Sequence, residues 1–191
     1  MTEEATVVVG VSGASGAPIA LRVLAALRDA HVPVSLVVSD GASTVLREEM
    51  GLSVADLRPL ATQFYEDTDL AAPIASGSVP TRGMVIVPCS ANTVAKVALG
   101  LGDTLLTRAA AVHLKERRRF VIVPRETPLS TTLLRHLTTL SELGTVVLVA
   151  SPAYYLKPKC VEETTDYLAG KVLDHLGIAH ALYRSWKAGP A

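Results

Sequence analysis

The 191-residue chain has few aromatic residues, few cysteines and no excess of either charge. Aromatic residues make up only 4% of the sequence, which argues against a protein that binds nucleic acid by stacking bases on aromatic rings. Lys plus Arg number 18, as do Asp plus Glu, so no overall field attracts the chain to DNA, RNA or anionic lipid. We therefore expect neither a nucleic-acid partner nor a membrane partner, and any recognition of charge must be local.

Disulfide pairs and long apolar runs are also lacking. The two cysteines, Cys89 and Cys160, lie far apart and form no C-x-x-C motif, which is typical of a protein from a reducing compartment. The apolar run after the acidic N-terminus lasts only from Ala5 to Val11, too short for a signal peptide or a membrane span. These features predict a cytoplasmic protein.

The apolar residues, 49% of the chain, occur in short runs separated by helical stretches. Runs of this kind predict buried strands, and parallel strands require long crossovers such as helices. Strands are predicted at 5–11, 33–38, 84–87, 120–123 and 146–149, with helices near 17–29, 42–50, 130–143 and 161–176 and two more between 88 and 120. We predict an α/β fold with one domain over 1–191, a three-layer, Rossmann-like, doubly wound parallel sheet, and a C-terminal tail from about 178 to 191.

Polar segments follow several of these strands, at the sheet edge where ligands bind in open α/β folds. The glycine-rich turn Ser12–Gly16 precedes a helix, so its backbone N–H groups can close around an anion, although a plain tight turn is the alternative. Its glycines are spaced three apart rather than as G-x-G-x-x-G, which excludes the dinucleotide fingerprint. Arg125 and Glu126 directly follow a buried strand, where unpartnered charges are costly, so they are predicted to be a functional pair.

Other polar residues allow two interpretations. Ser90–Thr93 can cap the next helix or hold phosphate oxygens, and we give the two equal weight. The acidic run Glu66–Asp69 is interpreted as a solvated loop rather than a metal site, because no His or Cys accompanies it. Asp40 is interpreted as a helix cap, and Cys89 as a buried thiol rather than a nucleophile.

Taken together, these residues resemble the UbiX-type flavin prenyltransferases over nearly the whole chain. The resemblance is carried by Gly13–Gly16, Ala75–Ser78, Pro88–Ser90 with Thr93, Arg108–Ala110, Leu114–Arg118, Val123–Glu126 with Pro128, Tyr155 with Pro158, and Leu173–Gly177. It implies an enzyme that joins a dimethylallyl group from dimethylallyl phosphate to reduced FMN, at N5 and C6. The prenylated FMN would serve a UbiD-type decarboxylase, and the enzyme would be a homo-oligomer, a dodecamer in this family, with active sites between subunits.

The resemblance also implies the site residues. FMN would be bound by Gly13, Ala14, Ser15, Ser39, Ser90, Ala91, Asn92, Thr93 and Arg125. The prenyl phosphate would be bound by Arg108, Lys115, Tyr155 and Lys171, and the catalytic set would be Ser15, Glu49, Lys115, Glu126 and Trp186. Positive charge and a proton donor near the leaving phosphate can replace a metal ion, so no metal site is expected.

A second resemblance leaves alternatives open. Ser90–Lys96 with Gly102 and Asp103 is similar to the flavin-dependent cysteine decarboxylases, which share this fold. Those enzymes use a histidine before the 84–87 strand, and none of the five histidines of this chain precedes that strand at the required place. The alternatives are therefore an FMN-dependent decarboxylase of a cysteine-type substrate, or a non-catalytic subunit that carries FMN.

Overall fold

Six parallel strands form one sheet in the computed structural model, which describes residues 5–186. Their order across the sheet is β3-β2-β1-β4-β5-β6, with every neighbouring pair parallel. The strands are β1 (Val7–Val11), β2 (Val34–Val38), β3 (Gln63–Glu66), β4 (Gly83–Cys89), β5 (Phe120–Pro124) and β6 (Val146–Val147). The chain therefore begins in the middle of the sheet and winds first to one side and then to the other, as a doubly wound sheet does.

Helices cover both faces of this sheet. They are α1 (Ala17–Asp29), α2 (Asp40–Met50), α3 (Val54–Leu57), α4 (Ala91–Ala98), α5 (Leu105–Lys115), α6 (Thr131–Glu142) and α7 (Val161–Leu176). Alternate strand residues point to opposite faces: Val7 and Val9 pack with α1, α2 and α7, whereas Val8 packs with α4, α5 and α6. The predicted three-layer α/β fold is confirmed, and it explains why β1, β2, β4 and β5 are buried along their whole length.

The predicted irregular stretch 51–83 contains more structure than its sequence indicates. Strand β3 pairs with β2 although its end residues Gln63 and Glu66 are exposed, so no apolar run marks it. The acidic run beside it is not simply a solvated loop: the Asp67 carboxylate accepts a hydrogen bond from Leu106 N (2.8 Å) and the Asp67 carbonyl accepts one from Leu105 N (2.8 Å). Asp67 therefore satisfies the first N–H groups of α5, a contact between segments almost forty positions apart.

Helix α2 is also capped differently from our prediction. Asp40 is its first helical residue, and Ser39 is the N-cap, whose hydroxyl accepts a hydrogen bond from Ala42 N at 3.3 Å. Both residue types are good caps, so sequence alone placed the cap one residue too late.

None of the described helices, the longest being α7 with 16 residues, combines the length and apolarity needed to cross a bilayer.

Helix α1 begins with a cap supplied from another helix. Its own N-cap residue, Gly16, has no side chain to accept a hydrogen bond. Instead Glu49, at the end of α2, accepts from Gly16 N (3.0 Å) and Ala17 N (2.9 Å) through Oε2. Partial burial raises the pKa of the Glu49 carboxyl, but hydrogen bonding from Ser15, Gly16 and Ala17 and the charge of Arg125 outweigh it, so the pKa lies below its ordinary value of 4.5.

This lowered pKa makes the contribution of Glu49 to stability depend on pH. We expect Glu49→Gln to lower the free energy of unfolding at neutral pH by roughly 0.5–1 kcal/mol, as for other charges at helix N-termini. Because the folded pKa is the lower one, the stabilisation is complete above pH 4.5 and is lost as the pH falls through the folded pKa. Urea unfolding of parent and variant should therefore differ at neutral pH and converge in acid.

Glu48→Gln is the matched control, since Glu48 is the adjacent exposed carboxylate and contacts only Arg47 of its own helix (3.4 Å). Equal neutral-pH stabilities of the two variants would contradict the capping role of Glu49.

Candidate active site

The candidate site lies at the carboxyl edge of the sheet, which we define as the edge formed by the C-terminal ends of the strands. Strands β1 and β4 are neighbours there, and the connections that leave them run in opposite directions along the sheet. Such a reversal of strand order opens the crevice in which doubly wound proteins bind ligands. The turn after β1 and the turn after β4 therefore form the two walls of the site.

Ser12 fixes these two turns to each other. Its buried hydroxyl donates a hydrogen bond to Pro88 O (3.0 Å) and accepts one from Ser90 N (2.8 Å), while Ser12 N donates to Pro88 O (3.2 Å). Gly13 then passes close to Gly41, since a Cβ at Gly13 would lie 3.0 Å from the Gly41 backbone. The backbones of the first two βα turns meet here because neither position has a side chain.

Backbone donors converge on this crevice from α4. Ser90 is the N-cap of that helix: its hydroxyl accepts from Thr93 N (3.2 Å) and lies 2.9 Å from the Thr93 hydroxyl. The two interpretations of Ser90–Thr93 are therefore compatible, because capping uses Thr93 N and leaves the first N–H groups, those of Ala91 and Asn92, without an intrahelical acceptor. Such N–H groups at a helix N-terminus favour an anion.

Arg125 brings a positive charge to the same edge. It directly follows β5 and is half-buried, and its Nε is buried without a hydrogen-bond partner among the described residues. A buried donor with no acceptor is costly. Its charge contributes to the lowered pKa of Glu49 across the crevice. Arg125 therefore has one donor without a partner among the described residues, which an anionic ligand can satisfy.

Glu126 lies beside Arg125 but is exposed. Its Oε1 accepts a hydrogen bond only from the next residue, Thr127 N (3.2 Å). Arg125 is thus a partly buried cation and Glu126 an exposed carboxyl. This difference favours a binding role for Arg125 and a proton-transfer role for Glu126.

Lys115 lies at the other end of the sheet, the amino edge. Helix α5 starts at Leu105, which contacts Asp67 beside the carboxyl edge, and runs towards the start of β5. Lys115, its last residue, is therefore remote from Glu126. The Lys115 ammonium pairs with Glu116 (2.9 Å) and lies against Gly77, and Arg118 donates to Gly77 O (2.6 Å) in the loop that enters β4. Strand β5, about 15 Å long, separates Lys115 from Glu126 within one chain.

Arg108 and Lys115 lie on one helix, as predicted, and both are exposed. Their seven-residue spacing corresponds to about 10 Å along the axis, with Arg108 the nearer of the two to the carboxyl edge.

The predicted substrate residues Tyr155 and Lys171 lie near the C-terminal tail. The ring of Trp186 packs edge-on against Tyr155, with centroids 4.8 Å apart and planes at 89°. Lys171, on α7, donates to the Asp174 carboxylate at 3.1 Å and lies 6.0 Å from the centre of the Tyr183 ring. Tyr155 and Trp186 thus meet within the chain, and Lys171 belongs to a separate charged cluster.

The structure therefore gathers most of the predicted set at one edge and leaves part of it elsewhere. The carboxyl edge holds Gly13, Ala14, Ser15, Ser39, Glu49, Ser90, Ala91, Asn92, Thr93, Arg125 and Glu126. Sequence reasoning gave no role to Ser12 or Gly41, because a single serine or glycine in a turn carries no distinguishing signal. Cys89 is fully buried, which raises the pKa of its thiol above 9.0, so it is inert as predicted.

The donors at this edge fit a phosphorylated ligand such as FMN. The free N–H groups of α4 and the unpartnered Arg125 Nε are all donors, so they match the acceptor oxygens of a phosphate. Gly13 has no side chain and Ala14 has only a methyl group, so the floor of the crevice leaves room for a flat ring system.

The chain is similar to known proteins in both sequence and fold. A family model described as Flavoprotein matches residues 1–182. The flavin prenyltransferase UbiX of Thermoplasma acidophilum is 48% identical over 180 residues, which cover 94% of this chain and 99% of that protein. AnUbiX, solved in complex with FMN and dimethylallyl pyrophosphate, has a TM-score of 0.95 at 37% identity and covers 98% of this chain and 100% of its own.

A second solved structure, a dodecameric FMN-dependent UbiX-like decarboxylase from Escherichia coli O157:H7, has a TM-score of 0.93 at 40% identity and covers 96% of this chain and 100% of its own. Both the sequence and the three-dimensional likeness extend over almost the entire length of the proteins compared. The chain therefore belongs to the flavoprotein family and, within it, to the UbiX-type flavin prenyltransferases.

Proposed function

We propose that this protein is a flavin prenyltransferase that joins a dimethylallyl group from dimethylallyl phosphate to N5 and C6 of reduced FMN. The observation that carries the proposal is the set of unsatisfied donors at the carboxyl edge, above all the buried Nε of Arg125. The similarity to AnUbiX, solved in complex with FMN and dimethylallyl pyrophosphate, supports FMN and a phosphorylated dimethylallyl donor as the ligands. Reduced FMN supplies the nucleophilic ring atoms, and the protein supplies binding, orientation and proton transfer.

We assign the binding of FMN to the crevice between β1 and β4. The N–H groups of α4 and the Arg125 guanidinium face the ligand phosphate, with Ser39 and Ser15 as further hydroxyl donors. Gly13 and Ala14 let the ring system approach the backbone. Because Ser12 ties the two turns together, this crevice exists before the ligand binds.

Glu126 and the basic residues act on the prenyl phosphate. Departure of phosphate from an allylic carbon leaves negative charge on oxygen, which a proton and nearby cations stabilise. Glu126 lies next to the flavin-binding Arg125, and we assign it the transfer of this proton in its protonated form. The positive charge that stabilises the leaving phosphate is assigned to Arg108, Lys115 and Lys171, with Tyr155 as a hydroxyl donor. The catalytic set is completed by Glu49 and Trp186.

This assignment requires more than one subunit. Lys115 lies at the amino edge, about 15 Å from Glu126 along β5, so the two side chains of one chain do not meet. In a homo-oligomer the amino edge of one copy can face the carboxyl edge of another. The dodecameric state of the similar E. coli protein supports a dodecamer here.

We propose that a UbiD-type decarboxylase receives the prenylated flavin. The two unpaired thiols, Cys89 and Cys160, support the cytoplasm as the compartment.

A direct assay tests the proposed reaction. Purified protein is mixed anaerobically with reduced FMN and either dimethylallyl phosphate or the corresponding diphosphate, and the flavin is extracted for mass analysis. We expect the flavin mass to increase by one prenyl unit with the monophosphate. An unaltered flavin would overturn the function, and faster transfer from the diphosphate would overturn the proposed donor.

FMN binding and prenyl transfer should separate at the adjacent residues Arg125 and Glu126. Glu126→Gln keeps the side-chain volume and removes only the exchangeable proton, so FMN should still bind while alkylation slows by about 10²- to 10⁴-fold. Arg125→Ala removes a charge-assisted phosphate contact and should lower FMN occupancy first. FMN titration followed by single-turnover alkylation measures both effects. Loss of flavin from the Gln variant, or transfer at the parent rate, would refute the role of Glu126.

Mixed oligomers test whether Lys115 acts in a neighbouring subunit's site. Lys115→Ala and Glu126→Gln should each be nearly inactive alone. When the two variants are co-expressed and assemble at random, a site that combines Glu126 of one chain with Lys115 of another is intact, so about a quarter of the parent activity should return. Co-expression of Lys115→Ala with Arg125→Ala is a second such pair. Activity no greater than that of the separate variants would contradict the assignment of Lys115 to a neighbour's site.

A further inference from the structure

Residues 178–186, which we call the C-terminal strap, fold back along α7. The helix ends at Gly177, which adopts a left-handed conformation (φ 70°) and reverses the chain. His180 and Tyr183 then pack against the middle of α7, and Trp186 reaches Tyr155 in the loop after β6. The strap therefore runs from the amino edge back towards the carboxyl edge, where the predicted site lies.

One carboxylate on α7 holds this strap. Asp174 Oδ1 lies 3.0 Å from His180 Nε2, and Asp174 Oδ2 accepts hydrogen bonds from the Tyr183 hydroxyl and from Lys171 Nζ (3.1 Å). Because His180 Nδ1 accepts from Leu182 N (3.1 Å), the ring proton lies on Nε2 and is donated to Asp174. Three donors from two segments thus share the two oxygens of Asp174.

The helix surface is shaped to receive the strap. A Cβ at Gly170, one turn before Asp174, would lie 2.6 Å from Tyr183 Cδ1 and 2.8 Å from His180 Cε1. Any larger side chain at position 170 would therefore displace both rings. Tyr183 also packs edge-on against Tyr167, with centroids 5.1 Å apart. The packing at Gly170 and Tyr167 and the hydrogen bonds to Asp174 therefore stabilise the same position of the strap.

We propose that Asp174 is a positioning residue for prenyl transfer: it orients the Lys171 ammonium and fixes the strap that brings Trp186 against Tyr155. This inference rests on the proposed function, which assigns Lys171, Tyr155 and Trp186 to the prenyl phosphate. One carboxylate then determines the positions of three groups assigned to the substrate, without contacting the substrate itself. Loss of Asp174 is expected to weaken prenyl phosphate binding while FMN binding, in the crevice between β1 and β4, persists.

The strap can be observed without any reaction, because Trp186 is the only tryptophan of the chain. In the flavin-free protein, Asp174→Ala and Gly170→Ala should each increase acrylamide quenching of Trp186 and lower its fluorescence anisotropy. Tyr183→Phe keeps the ring and removes one hydrogen bond, so a smaller change is expected. The control is Asp166→Asn: Asp166 also lies on α7, but its carboxylate pairs with Arg22 of α1 and accepts no hydrogen bond from the strap. Quenching of Asp174→Ala equal to that of the control would overturn the strap contact.

Kinetics of the same variants test the link to the reaction. Asp174→Ala should raise the KM for dimethylallyl phosphate by about tenfold or more, since small displacements of positioning groups have effects of this size. The Kd for FMN should stay within about twofold of the parent value, which loss of folding would not allow. Gly170→Ala, which keeps the Lys171–Asp174 pair and moves only the strap, should share the increase in KM. A loosened strap with an unchanged KM in either variant would overturn the positioning role.

The two proposals fail differently. If the parent protein transfers no prenyl group, the proposed function is wrong, whereas the fluorescence of Trp186 still reports whether Asp174 holds the strap.

Discussion

The hydroxyl of Ser12 joins the two strands between which the strand order reverses, and the site depends on this junction. By donating to Pro88 O and accepting from Ser90 N, it holds the end of β1 against the end of β4. A buried hydroxyl with both functions satisfied is rigid, because any movement would leave a buried polar group unpaired. The glycine turn on one side and the N-terminus of α4 on the other are thereby kept at a fixed separation. Glu49 adds a second constraint, since its carboxylate holds the start of α1 against the end of α2.

The sheet also divides the charges of the proposed reaction between its two edges. Arg125 and Glu126 follow β5 and therefore lie at the carboxyl edge, whereas Lys115 precedes β5 and lies at the amino edge. A strand is stiff and has a fixed rise per residue, so no side-chain rearrangement within one chain brings these groups together. The proposed role of Lys115 therefore requires that several copies assemble. The Lys115 ammonium lies close to Gly77, in a loop that Arg118 holds in place, and it is exposed at the surface.

A single carboxylate, that of Asp174, fixes the positions of residues in both the strap and α7. Asp174 accepts hydrogen bonds from Lys171, His180 and Tyr183, and the absence of a side chain at Gly170 leaves room for the two rings. The hydrogen bonds to Asp174 outweigh its partial burial and lower the pKa of its carboxyl, so it stays ionised at neutral pH and keeps all three partners. This cluster attaches the C-terminal segment to α7.

Much of the fold followed from the sequence alone. Valine-rich runs such as Val7–Val11 and Val34–Val38 are typical of strands buried on both faces of a parallel sheet, and such runs are recognised from neighbouring residues alone. The positions of Arg125 and Glu126 followed as well, because strand ends in such a sheet share one edge. Strand β3 was not predicted, because it has no apolar pattern. The sequence also did not predict the capping of α5 by Asp67 or the contacts of Ser12, Glu49 and Asp174, because these join segments that are remote in the chain. Local patterns encode the elements, whereas the contacts that align the site form only when the elements pack, because a hydrogen bond between distant segments leaves no periodic trace in sequence.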